Sequence, residues 1–513
     1  MRWAMALIVL VAFAGAVGTI LTVLDHNEHM YMAAGVLVAQ NKVIYRDFAY
    51  LQMPYLPLLY GRLFQWLHIQ AYYLLVGKLV SGFFLSLSTL TLFLIARRLL
   101  GQLELCLGIV ALFLLNTTIV GPAAEASNYI APLACSLLSF YAFCLSTAPP
   151  RLKPLGLLLS GLCLALAIGV KLTYAPLVVA FLLAIGLLPS DRSTLTAALN
   201  YRVTHALAPF SAGLILGLLP LLGYLWDWDR FLFNNVGYHD LNTQWRQLTG
   251  YAGAMSMTAK LDFARQVFSR PDNLILIASV LLGLGLAFAR VPGLGQTAKR
   301  LPPASLLALL FFLVAVPSAL APTPSFFQYF ALPVSGLFLL LIGAWALPGK
   351  DAGWWPGHLL LLMLTLASMA VSGAGLHTVT RLADRAAWSG VSVQRVAASV
   401  RQALEAAGAD AAGKVATLSP LYAIEANLPI YPQLATGPFL FRVSDLLTAE
   451  QRQRFVAVSP QTLSDLLDAD PPAAILVGFE GDLDATLRAY ALDHGYRRQD
   501  DMAGGAELYV RPP

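Results

Sequence analysis

About eleven runs of roughly 17 to 25 predominantly apolar residues, each long enough to cross a hydrocarbon layer at 1.5 Å per residue, leave this chain few ways to fold. They lie near 4–24, 72–96, 102–121, 128–147, 154–170, 173–189, 205–225, 272–290, 303–320, 328–347 and 356–375. A backbone in lipid must satisfy its own hydrogen bonds, so the runs are expected as helices. Of the 513 residues, 58% are hydrophobic and 12% charged, about half the charged share of a soluble domain. The expected class is an α-helical polytopic membrane protein. The formal net charge of +5 is scattered without a basic patch, which argues against a nucleic-acid partner.

The first run, from Arg2 through Leu24, resembles a secretory signal but is long enough to span, and it reads as the first membrane helix. The four cysteines, Cys106, Cys135, Cys144 and Cys163, sit in apolar stretches without a CxxC, so they read as packing residues. The positive-inside rule orients the runs. With a cytoplasmic N-terminus, the inside loops hold Arg97 and Arg98, Arg151 and Lys153, Arg192 and Arg202, then Arg290, Lys299 and Arg300, and Lys350. The short outside connections 122–127 and 321–327 hold no Lys or Arg, and an odd number of spans places the C-terminus outside.

Three outside segments are too long to be connectors: 25–71, 226–271 and the tail 376–513. The tail carries a helical pattern at Val391–Ala407 and β-like runs at Val415–Leu418, Ala474–Val477 and Glu507–Val510, so a small extracytoplasmic α/β domain is expected after a membrane domain 1–375. No phosphate-binding loop, dinucleotide fingerprint, zinc-protease motif or nucleophile elbow occurs in a usable context. Chemistry is therefore sought in the loops.

After the first run the chain reads Asp25-His26-Asn27-Glu28-His29-Met30-Tyr31, then Tyr45-Arg46-Asp47-Phe48 and Pro54. If the helix continues a turn, Asp25, Glu28 and His29 share one face at i, i+3 and i+4 and converge. A half-desolvated carboxylate there is a stronger base, although acids also simply mark a water interface. Asp47 beside Arg46 fits a salt bridge as well as a catalytic role. His26, His29 and His239 with Asp25 and Glu28 supply metal-ligand types, but no spacing resembles a dedicated metal motif and no metal is expected.

Here the sequence resembles the GT-C superfamily of polyprenyl-phosphate-sugar glycosyltransferases, which includes protein O-mannosyltransferases and the lipid A aminoarabinose transferase. Members carry an acidic pair with a tyrosine three residues on, then an aromatic-Asp stretch and a proline. Glu28, Tyr31, Tyr45-Arg46-Asp47-Phe48 and Pro54 match that pattern, while Asn27 stands where the first acid is usual. Gly161-Leu162 through Gly169-Val170-Lys171 looks like a glycine-lysine segment of bacterial members, and Pro324 to Pro333, with Gln328-Tyr329, is similar to their aromatic-Tyr-x-x-Pro loop.

The resemblance implies an enzyme of a bacterial cytoplasmic membrane. It would move a sugar from a polyprenyl-phosphate donor to a lipid, polysaccharide or protein acceptor on the extracytoplasmic side, without a cofactor. The base would be Glu28 or Asp25, which the Asn27 departure leaves open. Arg46 and Lys171 would hold the phosphate, Lys171 alternatively snorkelling to the interface. Glu125 either faces the same cavity or is solvated. Tyr238, His239 and Arg246 are weaker site candidates amid aromatics suited to a bilayer surface, and Gln328-Tyr329 could bond donor oxygens. A lipid-linked oligosaccharide flippase or other transporter is the rival reading, but the charges gather at outer helix ends rather than mid-membrane. In a second alternative the tail is a binding module, the first-loop acids are structural and the protein is inactive or regulatory.

Overall fold

The computed structural model describes residues 2–147, 153–188, 194–290, 302–347, 355–371, 379–409, 413–499 and 502–512. The longer helices in chain order are α1 (Arg2–Thr22), α2 (Glu28–Ala39), α3 (Tyr55–Trp66), α4 (Tyr73–Leu100), α5 (Leu103–Leu115), α6 (Thr117–Ala123), α7 (Ile130–Ser146), α8 (Pro154–Val170) and α9 (Leu177–Gly186). They continue as α10 (Leu195–Leu225), α11 (Tyr238–Arg246), α12 (Met257–Phe268), α13 (Pro271–Arg290), α14 (Pro303–Leu320), α15 (Ala331–Ala346) and α16 (Trp355–Val371).

Among the described residues, five helices are long and apolar enough to cross a membrane: α1, α4, α10, α14 and the run Phe327–Ala346 that contains α15. The number is seven if each bent pair, α5 with α6 and α12 with α13, counts as one span. Four further apolar helices have 10–17 residues, and these segments fall on the predicted runs except for α12, which lies in the predicted outside segment 226–271, and the first turns of α10, which precede the run 205–225. The expectation of eleven full-length spans is thus corrected in length. One break is visible at Lys171, where the backbone turns extended (φ −150°, ψ 117°) between α8 and the short turn Leu172–Tyr174. The orientation rests partly on Arg151, Arg192, Lys299, Arg300 and Lys350, which lie outside the described residues, as do 372–375 of the last run.

The two bends, 59° and 77°, brace one another. Asn116 Nδ2 donates to Asn273 Oδ1 at 2.8 Å, and Asp272 Oδ2 accepts from the Thr117 amide and hydroxyl at 2.7 and 2.6 Å. Polar side chains here replace the backbone bonds that a bend forfeits. α8 and α10 touch backbone to backbone. A Cβ on Gly161 would stand 1.9 Å from the Phe210 carbonyl oxygen, and one on Gly213 would stand 1.9 Å from that of Leu158. Small residues permit this approach in a bilayer, where close packing drives association.

The long connections are structured. The segment 25–71 contains α2 and α3, and 226–271 contains Trp228–Leu232, α11 and α12. The C-terminal region begins with α17 (Ser389–Ala406) and holds β1 (Val415–Ala416), β2 (Ala474–Val477), β3 (Arg497–Gln499) and β4 (Glu507–Val510). Their order is β1-β2-β4-β3, with β1 parallel to β2 and the other pairs antiparallel, which makes a mixed sheet. β3 escaped prediction because Arg497-Arg498-Gln499 lacks apolar alternation. Met30, Phe48 and Tyr60 from the first connection form one buried cluster with Val393, Leu421 and Leu440 of the C-terminal region. That shared core fixes the geometry of the site.

Candidate active site

The predicted helical turn beyond residue 24 does not form. α1 stops at Thr22, the chain turns through 25–27, and α2 starts at Glu28. Asp25, Glu28 and His29 therefore diverge, which corrects the one-face expectation. The Glu28 carboxylate points inward and is fully buried. Its oxygens accept from the Asp25 amide at 2.8 Å and the Ala126 amide at 2.6 Å, and Lys78 Nζ lies 2.5 Å away. Lys78, also fully buried, donates to the carbonyls of Val23 (2.7 Å) and Ala124 (2.6 Å). One ion pair thus ties the end of α1, the start of α2 and the 124–126 link. Burial raises the Glu28 carboxyl, while Lys78 and the two amides favour its ionised form. The oxygens already hold these three partners, and Glu28 lines neither cavity described below. His29 faces the other way: it accepts from the Leu421 amide at 3.4 Å and packs on the Tyr422 ring, and burial drives its pKa down to about 3.

Asp25 opens into a cavity of about 420 Å³. Its wall includes His26, Tyr31 and Gln52 from the first connection, Tyr129, then Tyr238, His239 and Arg246 of α11, Gln328 and Tyr329 before α15, and Arg442 of the C-terminal region. A second cavity of about 360 Å³ shares Gln52, Tyr129, His239 and Tyr329 with the first and holds Lys171 against Leu172, Pro176, Val236, Ala321 and Pro322. Lys171 Nζ is 3.4 Å from the Tyr129 ring centroid and 5.3 Å from that of Tyr329, and it donates to Asn128 Oδ1 at 3.3 Å. The same oxygen accepts from Tyr31 Oη at 2.9 Å, while Asn128 Nδ2 donates to Gln52 at 2.9 Å. A single asparagine therefore joins the first connection to the lysine.

Gly169 explains why the glycine-lysine segment can deliver that lysine. A Cβ there would come within 2.2 Å of the Tyr55 ring, so only glycine lets α8 lie so close to α3 as it ends at Lys171. Glu125, in the link before α7, accepts from Ser127 Oγ at 3.3 Å. Burial, then the negative neighbours Asp25 and Glu28, push it up to about 8. Burial likewise lowers His26, and lowers His239 to about 4. Arg46 and Asp47 lie away from both cavities, where Arg46 Nε donates to Asp47 Oδ1 at 2.9 Å and Asp47 Oδ2 accepts from the Val43 amide at 2.7 Å. Among the described residues, no three His, Cys, Asp or Glu side chains converge as metal ligands.

No family model and no curated protein matches the sequence. Solved structures do. ArnT from Cupriavidus metallidurans, crystallised bound to undecaprenyl phosphate, is similar with a TM-score of 0.61 at 12% identity over 99% of this chain and 97% of that one. Its apo state gives 0.58 at 12% identity over the same shares. The apo oligosaccharyltransferase from Archaeoglobus fulgidus gives 0.50 at 12% identity over 95% of this chain and 71% of that one. The chain has the GT-C fold.

Within the GT-C fold, the two cavities collect Asp25, Tyr31, Lys171, Tyr238, His239, Arg246, Gln328 and Tyr329 of the predicted residues. They leave out Glu28, His29, Arg46, Asp47 and Glu125. Sequence reasoning missed Lys78, Asn128, Asn242 and Arg442. Lys78 carried a readable signal, as an isolated cation within an apolar run near 72–96. Arg442 carried none, because its setting depends on how the C-terminal region docks.

Proposed function

We propose that this protein is a membrane glycosyltransferase that moves a sugar from a polyprenyl-phosphate donor to a lipid, polysaccharide or protein acceptor, with Asp25 as the base. The observation that carries this reading is one cavity presenting the Asp25 carboxylate and the Arg246 guanidinium, which adjoins an apolar-walled cavity holding Lys171. Transfer needs a carboxylate near the attacking hydroxyl and cations where charge develops on the departing phosphate. The second cavity suits the start of an isoprenoid chain, and the shared wall of Gln52, Tyr129, His239 and Tyr329 would place the phosphate between Lys171 and Arg246. ArnT, whose fold this is, was crystallised with undecaprenyl phosphate. Glu28 acts in this reading by holding the Asp25 backbone, and Arg46 holds no phosphate.

The eleven apolar segments would all cross, with the N-terminus cytoplasmic and the C-terminal region on the periplasmic face of a bacterial inner membrane. The reading calls for no organic cofactor. It is tested with nanodisc-embedded protein, a panel of polyprenyl-phosphate sugars and membrane-extract acceptors. Asp25→Asn is expected to keep the fold and lose about 10²–10⁴ in turnover, the usual worth of a general base. Glu28→Gln is expected to lower the unfolding temperature, since breaking a buried ion pair costs about 3–5 kcal/mol. Wild-type turnover retained by Asp25→Asn would remove Asp25 from the mechanism.

A further inference from the structure

Arg442 reaches the Asp25 cavity from the C-terminal region, which the notion of a separate tail would not lead one to expect. Its Nη2 donates to Asn242 Oδ1 of α11 at 2.9 Å, and its guanidinium carbon lies 5.0 Å from the Trp245 ring centroid and 5.5 Å from that of Phe439. Arg246, one turn on from Asn242, lies 5.8 Å from the Phe326 ring. These contacts hold both side chains in place but leave something unsatisfied. Arg442 Nε and Arg246 Nε are each enclosed and have no hydrogen-bond partner. Among the described residues, neither guanidinium is paired with a carboxylate at salt-bridge distance.

Charge bookkeeping on the cavity wall points the same way. Among the described residues, Asp25 is the only carboxylate lining it, against the two arginines, and burial keeps His26 and His239 neutral near pH 7. The wall therefore carries an excess of positive charge and two buried donors aimed at nothing in the protein. Neighbouring like charges and enclosed donors without a partner are both unfavourable. A bound anion offsets the excess charge, and the planar guanidinium fork matches phosphate oxygens. The cavity that holds the two arginines shares a wall with the apolar-lined second cavity, which leaves room beside such an anion for an attached hydrocarbon chain.

We infer that Arg442 and Arg246 together hold the phosphate of the lipid donor, so that the donor site is complete only with the C-terminal region docked. The inference rests on the glycosyltransferase reading above. It assigns to the C-terminal region a direct part in donor binding, and it gives the contact between Arg442 and α11 a functional reason as well as a structural one.

The test uses the full chain in nanodiscs and undecaprenyl phosphate as the probe, with affinity measured at several salt concentrations. Arg442→Gln and Arg246→Gln are each expected to weaken binding at least tenfold and to flatten its salt dependence, with Arg442→Lys recovering part of the loss. Arg454→Gln is the control. Arg454 ties the same region to Asp227 and Asp229 at 3.1 and 2.9 Å without lining the cavity, so its loss is expected to leave affinity unchanged. Wild-type affinity in a folded Arg442→Gln variant would overturn the inference, and so would an equal loss in Arg454→Gln, which would mark the effect as docking alone. If the wild-type chain binds no undecaprenyl phosphate, the glycosyltransferase reading itself fails, and this inference falls with it.

Discussion

Three carboxylates, Asp25, Glu28 and Glu125, lie within electrostatic reach of one another, and their partners give them different work. Glu28 is paired with Lys78 and accepts from two amides, which oppose the upward push of burial, whereas Glu125 has Ser127 as its hydrogen-bond donor, two negative neighbours and a weaker opposing pull from Lys171. With its pKa pushed up to about 8, Glu125 is protonated at pH 7. The sign follows from that direction. Below about 8 the group is neutral, and as the pH rises through 8 a negative charge appears beside Asp25 and an anionic donor, opposing binding and reaction. Turnover is therefore expected to decline above pH 8. Glu125→Gln, which mimics the protonated form, should keep the neutral-pH rate within a few-fold and lose that alkaline decline. Profiles of kcat/KM from pH 6 to 9.5 for both proteins decide it, and an unchanged alkaline limb in the variant would place the ionisation elsewhere. The sequence showed these acids but not their partners, because Lys78 is 50 residues from Glu28 in the chain and only the fold brings the two together.

At the level of elements, the apolar runs announced the helices because a bilayer permits little else. The strands at 415–416, 474–477 and 507–510 were legible for a similar reason, since their apolar side chains alternate or run together between turn residues. The connections were not. α2 and α3 are buried against the C-terminal region, so their apolar positions answer to a partner distant in sequence rather than to a water-facing side of their own. The glycines of α8 make a sharper test of element packing. Gly161 faces the Phe210 carbonyl with no space for a methyl group, whereas Gly82 of α4 has nothing within 4 Å. Gly161→Ala is expected to push α8 from α10 and destabilise the protein by about 1–3 kcal/mol, the usual cost of overpacking. Gly82→Ala should be neutral or stabilising by about 0.5–1 kcal/mol, as expected for alanine over glycine in a helix. Thermal unfolding in detergent compares the two, and equal effects would mean that α8 and α10 are not in backbone contact.

Across the whole molecule, the C-terminal region and the first connection behave as parts of one core rather than as a module set beside a membrane domain. Beyond the shared apolar cluster, Glu425 Oε1 accepts from the Leu74 amide at 2.8 Å at the start of α4, and the Phe233 and Phe455 rings stack at 3.8 Å between α11's approach and the C-terminal region. Leu421 is fully buried in that cluster, and its amide is bonded to His29 of α2. A carboxylate introduced there carries a large desolvation cost. If the core is single, Leu421→Asp is expected to loosen both sides of it together. Amide hydrogen exchange should rise across 30–37 and 55–64 as well as across 415–430, while α5 and α15, which pack in the separate apolar cluster of the membrane helices, stay protected. Faster exchange confined to the C-terminal region would show two independently stable bodies, and the cavity between them would then open and close with their docking. Loss of protection on both sides would mean instead that the walls contributed by Asp25, Arg246 and Arg442 are held by one cooperative unit, so that the site's geometry is set by the fold as a whole.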